Sequence, residues 1–158
     1  CALPISHCGD YNYFSFKGMR SKGNNELHVT STHYDDQIAL DLVRGSQRTV
    51  AIHGCEGNES VAYIGGSDDR LIELITESLE DIGISVREAP HHISGTQENN
   101  IVNMTQTQGG VQLELTAQLR KELFKNRKSS RKNRENKDNW DDLMYDFADA
   151  MKKAIERA

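Results

Sequence analysis

Four short extended segments interleaved with helix-patterned stretches constrain this chain more than any other feature. Thr49-Val-Ala-Ile-His53 enters the turn Gly54-Cys-Glu-Gly57, and Val61-Ala-Tyr-Ile64 enters Gly65-Gly66. Continuous apolar runs of this length, bounded by glycine, read as buried strands. Ser67-Asp-Asp then opens a helix on which Leu71, Leu74, Ile75, Leu79 and Ile82 form one apolar stripe, and Gly83 ends it. Ile84-Ser-Val-Arg-Glu88 resumes the extended pattern. Val111-Gln-Leu-Glu-Leu115 alternates cleanly, with helix expected from about Thr116. Strands alternating with helices predict an α/β layered fold, a mixed sheet with helices on both faces.

The flanks are less sharply written. Tyr11–Phe16 and Leu27–Ser31 read as two further strands joined by the polar turn Ser21-Lys-Gly-Asn-Asn25. Asp35–Arg44 reads as a short helix that opens on two acids and stops at Gly45. The segment from Pro90 to Gly110 is rich in Asn, Gln, Thr and His and reads as a long loop with a short element near Ile101–Met104. Trp140, Leu143, Met144, Phe147 and Met151 give residues 139–157 the pattern of an amphipathic C-terminal helix. The 158 residues fit one domain. The chain opens on Cys1 rather than methionine, and sequence is expected to be missing upstream.

Charge is unevenly distributed. Residues 1–119 carry 7 basic and 16 acidic side chains, whereas residues 120–138 carry 9 and 3. That basic surface segment has charge enough for a polyanion, but its scarcity of aromatics for base stacking, Phe124 apart, argues against nucleic acid. No apolar run is long enough to span a membrane. Cys1, Cys8 and Cys55 lack the CxxC spacing of a structural zinc site, so reduced thiols are expected; Cys1, His7 and Cys8 form an alternative ligand set.

Two residues stand out for chemistry. His53 lies at the carboxyl end of an apolar strand, where open α/β sheets place their ligands, although a lone histidine more often serves structure than metal binding. Glu114 alternates with Leu113 and Leu115 and shares a face with Gln112. It either faces solvent or points into a cleft, where burial would raise its pKa toward that of a general base. His28, His33, His91 and His92 read as surface residues or neighbours of a site. Asn99, Asn100 and Asn103 are amides suited either to turns or to hydrogen-bonding a carboxylate.

Seven segments in order together resemble one family, the phage and Bacillus poly-γ-glutamate hydrolases, whose fold is similar to that of the zinc carboxypeptidases. They are Tyr13–Gly18, Asn24–Thr32 followed by Ala39–Val43, Val50-Ala-Ile-His-Gly-Cys55, Ile64-Gly-Gly-Ser-Asp68, Ile93-Ser-Gly-Thr96, Asn100-Ile-Val-Asn103 and Gly110-Val-Gln-Leu-Glu-Leu115. The resemblance implies Zn2+ held by His53 and by a His-x-x-x-x-Glu pair upstream, with Glu114 as the catalytic carboxylate. No such pair precedes the first matching segment, so weak zinc binding is expected of this chain.

The implied substrate is γ-linked polyglutamate, a polyanion. Asn100, Asn103 and Gln112 are the expected substrate-binding residues, with Lys17, Arg20, Lys22 and the 120–134 block as further cationic contacts. The resemblance leaves oligomeric state open. It suggests either a cytoplasmic protein released on host lysis or a secreted one. The rival readings are a phage-associated polyanion- or nucleic-acid-binding protein without catalysis, and an inert truncated product.

Overall fold

The computed structural model describes Ile5 and residues 11–158. Four strands form one mixed sheet: β1 (Val50–Cys55), β2 (Val61–Gly66), β3 (Ser85–Glu88) and β4 (Val111–Thr116). Their spatial order is β1-β4-β2-β3, so the last strand in sequence lies inside the sheet. β4 runs parallel to β1 and antiparallel to β2, and β2 runs parallel to β3. Each of these strands overlaps a segment whose pattern predicted it, with β1 and β2 running two residues and β4 one residue past the predicted end.

One face of the sheet is apolar. Val111, Leu113 and Leu115 of β4 share it with Ala62 and Ile64 of β2, and they join Leu71, Leu74, Ile75 and Leu79 of α2 (Asp69–Asp81) in a single core. Leu119 of α3 (Ala117–Glu122) and Met144, Phe147 and Met151 of α4 (Asp142–Arg157) complete that core from the C-terminal part of the chain. Phe147 is fully buried, and a side chain of that size stabilises the fold by about 1.5–3 kcal/mol through burial alone. Asp68 caps α2 by accepting from Leu71 N at 3.0 Å, and it also receives Arg48 Nε at 3.0 Å.

The C-terminal helix begins at Asp142 rather than at 139. Lys137–Asn139 forms a separate 3-10 turn, and Asp141 is the N-cap, accepting from Leu143 N at 3.3 Å. Trp140 is left at the end of the loop, in an isolated bridge with Phe124.

The two N-terminal strands expected from the sequence are absent among the described residues. Residues 11–34 hold only the 3-10 turns Asn24–Leu27 and Ser31–His33. Tyr13, Phe14 and Phe16 are exposed and Tyr11 alone of the segment's aromatics packs against the core, so the alternation has no continuous buried face to direct it. Local polar chemistry decides the backbone instead. The Asn24 side chain accepts from Arg20 N at 3.0 Å and donates to Arg20 O at 2.8 Å, closing a turn.

The second face of the sheet lies under the long 90–110 segment. Gly66 N donates to Ser94 O at 2.7 Å, Ser67 N to Gly110 O at 2.9 Å, and Gln106 N to Ser46 O at 3.0 Å, just beyond α1 (Gln37–Arg44). Only two short 3-10 turns, His91–Ile93 and Ile101–Asn103, interrupt the segment, the second where a short element was predicted. Its approach is so close that a Cβ on Gly65 would lie 2.1 Å from Ser94 O. Gly65→Ala is therefore expected to lower stability by about 1–3 kcal/mol through overpacking against backbone. Thermal unfolding measures this, and an unchanged midpoint would refute the close approach.

Candidate functional site

Strand register builds the site. His53 of β1 and Tyr63 of β2 both lie opposite Glu114 of β4, so the three side chains form one row across the sheet. Because the face alternates at each residue, this row lies opposite the apolar core. In the next row Gln112 is flanked by Ala51 and Gly65, two small neighbours that leave space for its amide. Thr116 and Cys55 pair in the row beyond.

Glu114 is only 7% exposed, which resolves its two sequence readings in favour of a buried carboxyl. Burial pushes its pKa up, with the Gln112 hydrogen bond and the Arg120 charge pulling the other way. Gln112 Nε2 reaches Glu114 Oε1 at 3.4 Å and Ile93 O at 3.0 Å, while its Oε1 accepts from Asn100 Nδ2 at 3.2 Å. The chain Asn100–Gln112–Glu114 fixes which way the carboxyl points. A carboxyl whose pKa is raised and which is held in one orientation has the properties that general acid–base work requires.

His53 is half-buried, and burial, followed by the charge of His28, pushes its pKa down. The imidazole is thus neutral at physiological pH and has a lone pair to offer. Cys55 is a free thiol whose pKa burial pushes up, with Glu114 adding to the effect and Arg120 opposing it. That favours thiol over thiolate.

Asn100, Asn103 and Gln112, which the sequence expectation assigns to substrate, lie in the 90–110 segment and on β4. All three are buried. Asn100 Oδ1 caps Val102 N at 3.1 Å, and Asn103 Nδ2 donates to Gly95 O at 2.7 Å and Gln97 O at 3.0 Å. These hydrogen bonds hold the 90–110 segment and, through Gln112, the Glu114 carboxyl, while Asn103 Oδ1 is buried without a hydrogen-bond partner among the described residues.

Two residues near the row were not singled out in the sequence. Tyr63 joins it only through the antiparallel β2–β4 pairing, which no local pattern announces. Arg120 looked like the start of the basic run. Its Nε donates to Leu115 O at 3.1 Å and its Nη2 to Cys55 O at 3.0 Å, tying the carboxyl ends of β4 and β1 together. Gly54 admits it, since a Cβ there would lie 2.8 Å from the guanidinium carbon.

A catalytic zinc takes three protein ligands and keeps one open position. Among the described residues no group of three or more His, Cys, Asp or Glu side chains converges on a common point. The row supplies one imidazole and one carboxyl, which does not complete a zinc site. Cys1, His7 and Cys8 lie outside the described residues.

A mixed α/β sheet carrying a buried carboxyl beside a half-buried imidazole defines the class as α/β proteins with a polar row on one face of the sheet. The poly-gamma-glutamate hydrolase family model matches residues 1–150, and the chain belongs to that family. It is similar to two proteins of Bacillus subtilis (strain 168). The SPbeta prophage-derived UPF0714 protein YoqZ is 36% identical over 116 residues, 72% of this chain and 42% of YoqZ. The UPF0714 protein YmaC is 31% identical over 155 residues, 94% of this chain and 62% of YmaC.

The chain thus spans less than two thirds of the length of either relative. The solved structure of a bacteriophage poly-gamma-glutamate hydrolase matches with a TM-score of 0.91 at 29% identity, over 98% of this chain and 74% of that one. Zinc-free apo YndL matches with a TM-score of 0.77 at 28% identity, over 89% and 68%. The α/β architecture read from the sequence is that of these structures.

The raised pKa of Glu114 has a consequence for stability. The folded state holds this proton to higher pH than the unfolded chain does, so the associated stability is present at low pH and lost as pH rises from the ordinary value of 4.5 through the folded one. Glu114→Gln, which removes the buried charge, is expected to raise the thermal midpoint at pH 7 relative to the parent. The gap should close in acid. A midpoint difference independent of pH would refute a raised carboxyl.

Proposed function

We propose that this chain forms the Glu114-bearing part of a zinc-dependent hydrolase that cuts the γ-glutamyl amide bonds of poly-γ-glutamate. The observation that carries this reading is the register pairing of His53 with Glu114, which sets a neutral imidazole beside a dehydrated carboxyl on one face of the sheet. Family membership supports the hydrolase class, and the zinc-free form of YndL motivates the metal.

In this reading the ionised form of Glu114 takes a proton from the water that attacks the amide carbonyl and returns it to the departing amine. Gln112 and Asn100 keep the carboxyl oriented for both transfers. Zinc would supply Lewis acidity for the carbonyl and a lowered pKa for water. His53 is the donor this chain offers to it, and the remaining donors would come from residues other than those described.

The test separates the two roles. Polymer length by size-exclusion chromatography reports cleavage with zinc supplied, and equilibrium dialysis reports zinc uptake. Glu114→Gln should slow cleavage by about 10²–10⁴-fold while leaving zinc uptake at the parent's level. His53→Ala should lower zinc uptake itself. Cleavage at the parent's rate by Glu114→Gln would remove the carboxylate from the mechanism.

A further inference from the structure

Residues 125–139 hold seven of the chain's nineteen Lys and Arg side chains and only two acids, in a protein whose net charge is −5. Like charges so close repel, and a free loop would spread them. This loop is held instead. The Phe124–Trp140 bridge closes its base, and Asp141 N donates to Leu123 O at 3.1 Å. Trp140, buried at 5% exposure, donates from Nε1 to Arg134 O at 2.9 Å, and Asn139 Nδ2 donates to Asn133 O at 3.0 Å. The cationic side chains are therefore presented from a frame anchored in the core.

The frame also meets the N-terminal segment. Arg131 Nη1 donates to Met19 O at 3.3 Å, and Lys17 Nζ lies 3.4 Å from Glu135. Between them runs an open groove of about 490 Å³ lined by Lys17, Met19, Arg131, Lys132, Arg134 and Glu135. Four cations face one acid, and among the described residues neither Lys132 nor Arg134 has a salt-bridge partner. None of the lining residues belongs to the His53–Glu114 row.

We propose that this groove is an exosite that holds a stretch of γ-linked polyglutamate away from the cleavage site. The choice of polymer rests on the proposed function; the cationic groove does not. A γ-linkage leaves one free α-carboxylate on every residue and a pair of methylenes between successive amides. Lys132 and Arg134 suit the carboxylates, and the 68%-exposed Met19 suits the methylenes. A stiff duplex is disfavoured by the acidic remainder of the surface, and a single-stranded nucleic acid by the lack of an aromatic side chain in the groove. A flexible single chain can follow the groove alone.

The test measures binding by the intact chain, using fluorescence anisotropy with labelled poly-γ-glutamate and labelled duplex DNA at low salt. Arg131→Glu with Lys132→Glu should raise the Kd for the polymer about tenfold or more, and the milder Arg131→Gln with Lys132→Gln by less. Arg44→Glu with Lys153→Glu, which changes net charge equally on exposed residues outside the groove, should have little effect. Thermal midpoints equal to the parent's verify that the exposed substitutions leave the fold intact.

Equal weakening by both charge reversals, or no polymer binding by the parent, would overturn the exosite. DNA bound more tightly than polymer at equal salt would overturn the choice of ligand. Polymer cleavage that persists with binding unaltered in the groove variants would overturn the exosite and leave the hydrolase reading standing. Binding lost only in those variants, with no cleavage by the parent, would sustain the exosite and overturn the hydrolase reading.

Discussion

Strand β4 has a ladder partner on each side, so none of its backbone reaches water through a sheet edge, and both of its faces are covered. One face can be met by hydrophobic packing, and Val111, Leu113 and Leu115 are packed that way. The other carries Gln112, Glu114 and Thr116, three polar side chains that must find partners inside the protein. Much of the surrounding structure answers that requirement. Thr116 Oγ1 donates to Glu59 O at 2.7 Å and accepts from Val61 N at 3.2 Å, joining β4 to the entry of β2. Gln112 is met by Asn100 and by the carbonyl of Ile93. The 90–110 segment, which lacks a hydrophobic pattern of its own, is held down largely by backbone hydrogen bonds and by these amides.

The same requirement explains how an acidic group survives at the centre of the sheet. A fully dehydrated carboxylate would cost several kcal/mol, and proteins relieve such a cost by a shifted pKa or by compensating donors and charge. Both operate here. Gln112 donates to Glu114, and Arg120 brings a positive charge near it without forming an ion pair. Arg120 spends its own donors on two backbone carbonyls, so its position depends on strand geometry rather than on the protonation state of Glu114. The carboxyl therefore remains free to titrate while its electrostatic surroundings stay constant, which is the arrangement an acid–base group needs.

Elements whose pattern is driven by burial were legible in the sequence. The four strands, α2 and α4 all have apolar residues that meet the core, and the acids that opened α1 and α2 in the sequence include their N-caps, Asp36 and Asp68. What failed was alternation without burial: Tyr11–Phe16 and Leu27–Ser31 look like strands, yet neither pairs with the sheet, and the turn between them is closed locally by Asn24 on Arg20. At the site, Glu114 was marked by a charge at an apolar position, but its neighbour Tyr63 depends on β4 inserting between β1 and β2, a long-range fact absent from any window. Arg120 was hidden for the opposite reason. Its composition placed it with the basic loop, while the cause of its position, a missing side chain at Gly54, lies 66 residues earlier.

Unequal burial along the row also divides the labour between its members. β1 has only β4 as a ladder partner among the described residues, whereas β4 has two, so His53 stays half-buried while Glu114 is almost fully covered. An imidazole in that position loses enough water to stay neutral and keeps enough exposure to be reached from outside the sheet. A carboxyl one strand further in gains the pKa shift that only deeper dehydration gives. Exchanging the two residues would reverse both effects: a carboxylate near the edge would remain an ordinary acid, and a histidine on β4 would be neutral but walled off from any ligand. The different burial of the two residues thus follows from which strand is central, so strand order, as much as the identity of either residue, sets the properties of the pair.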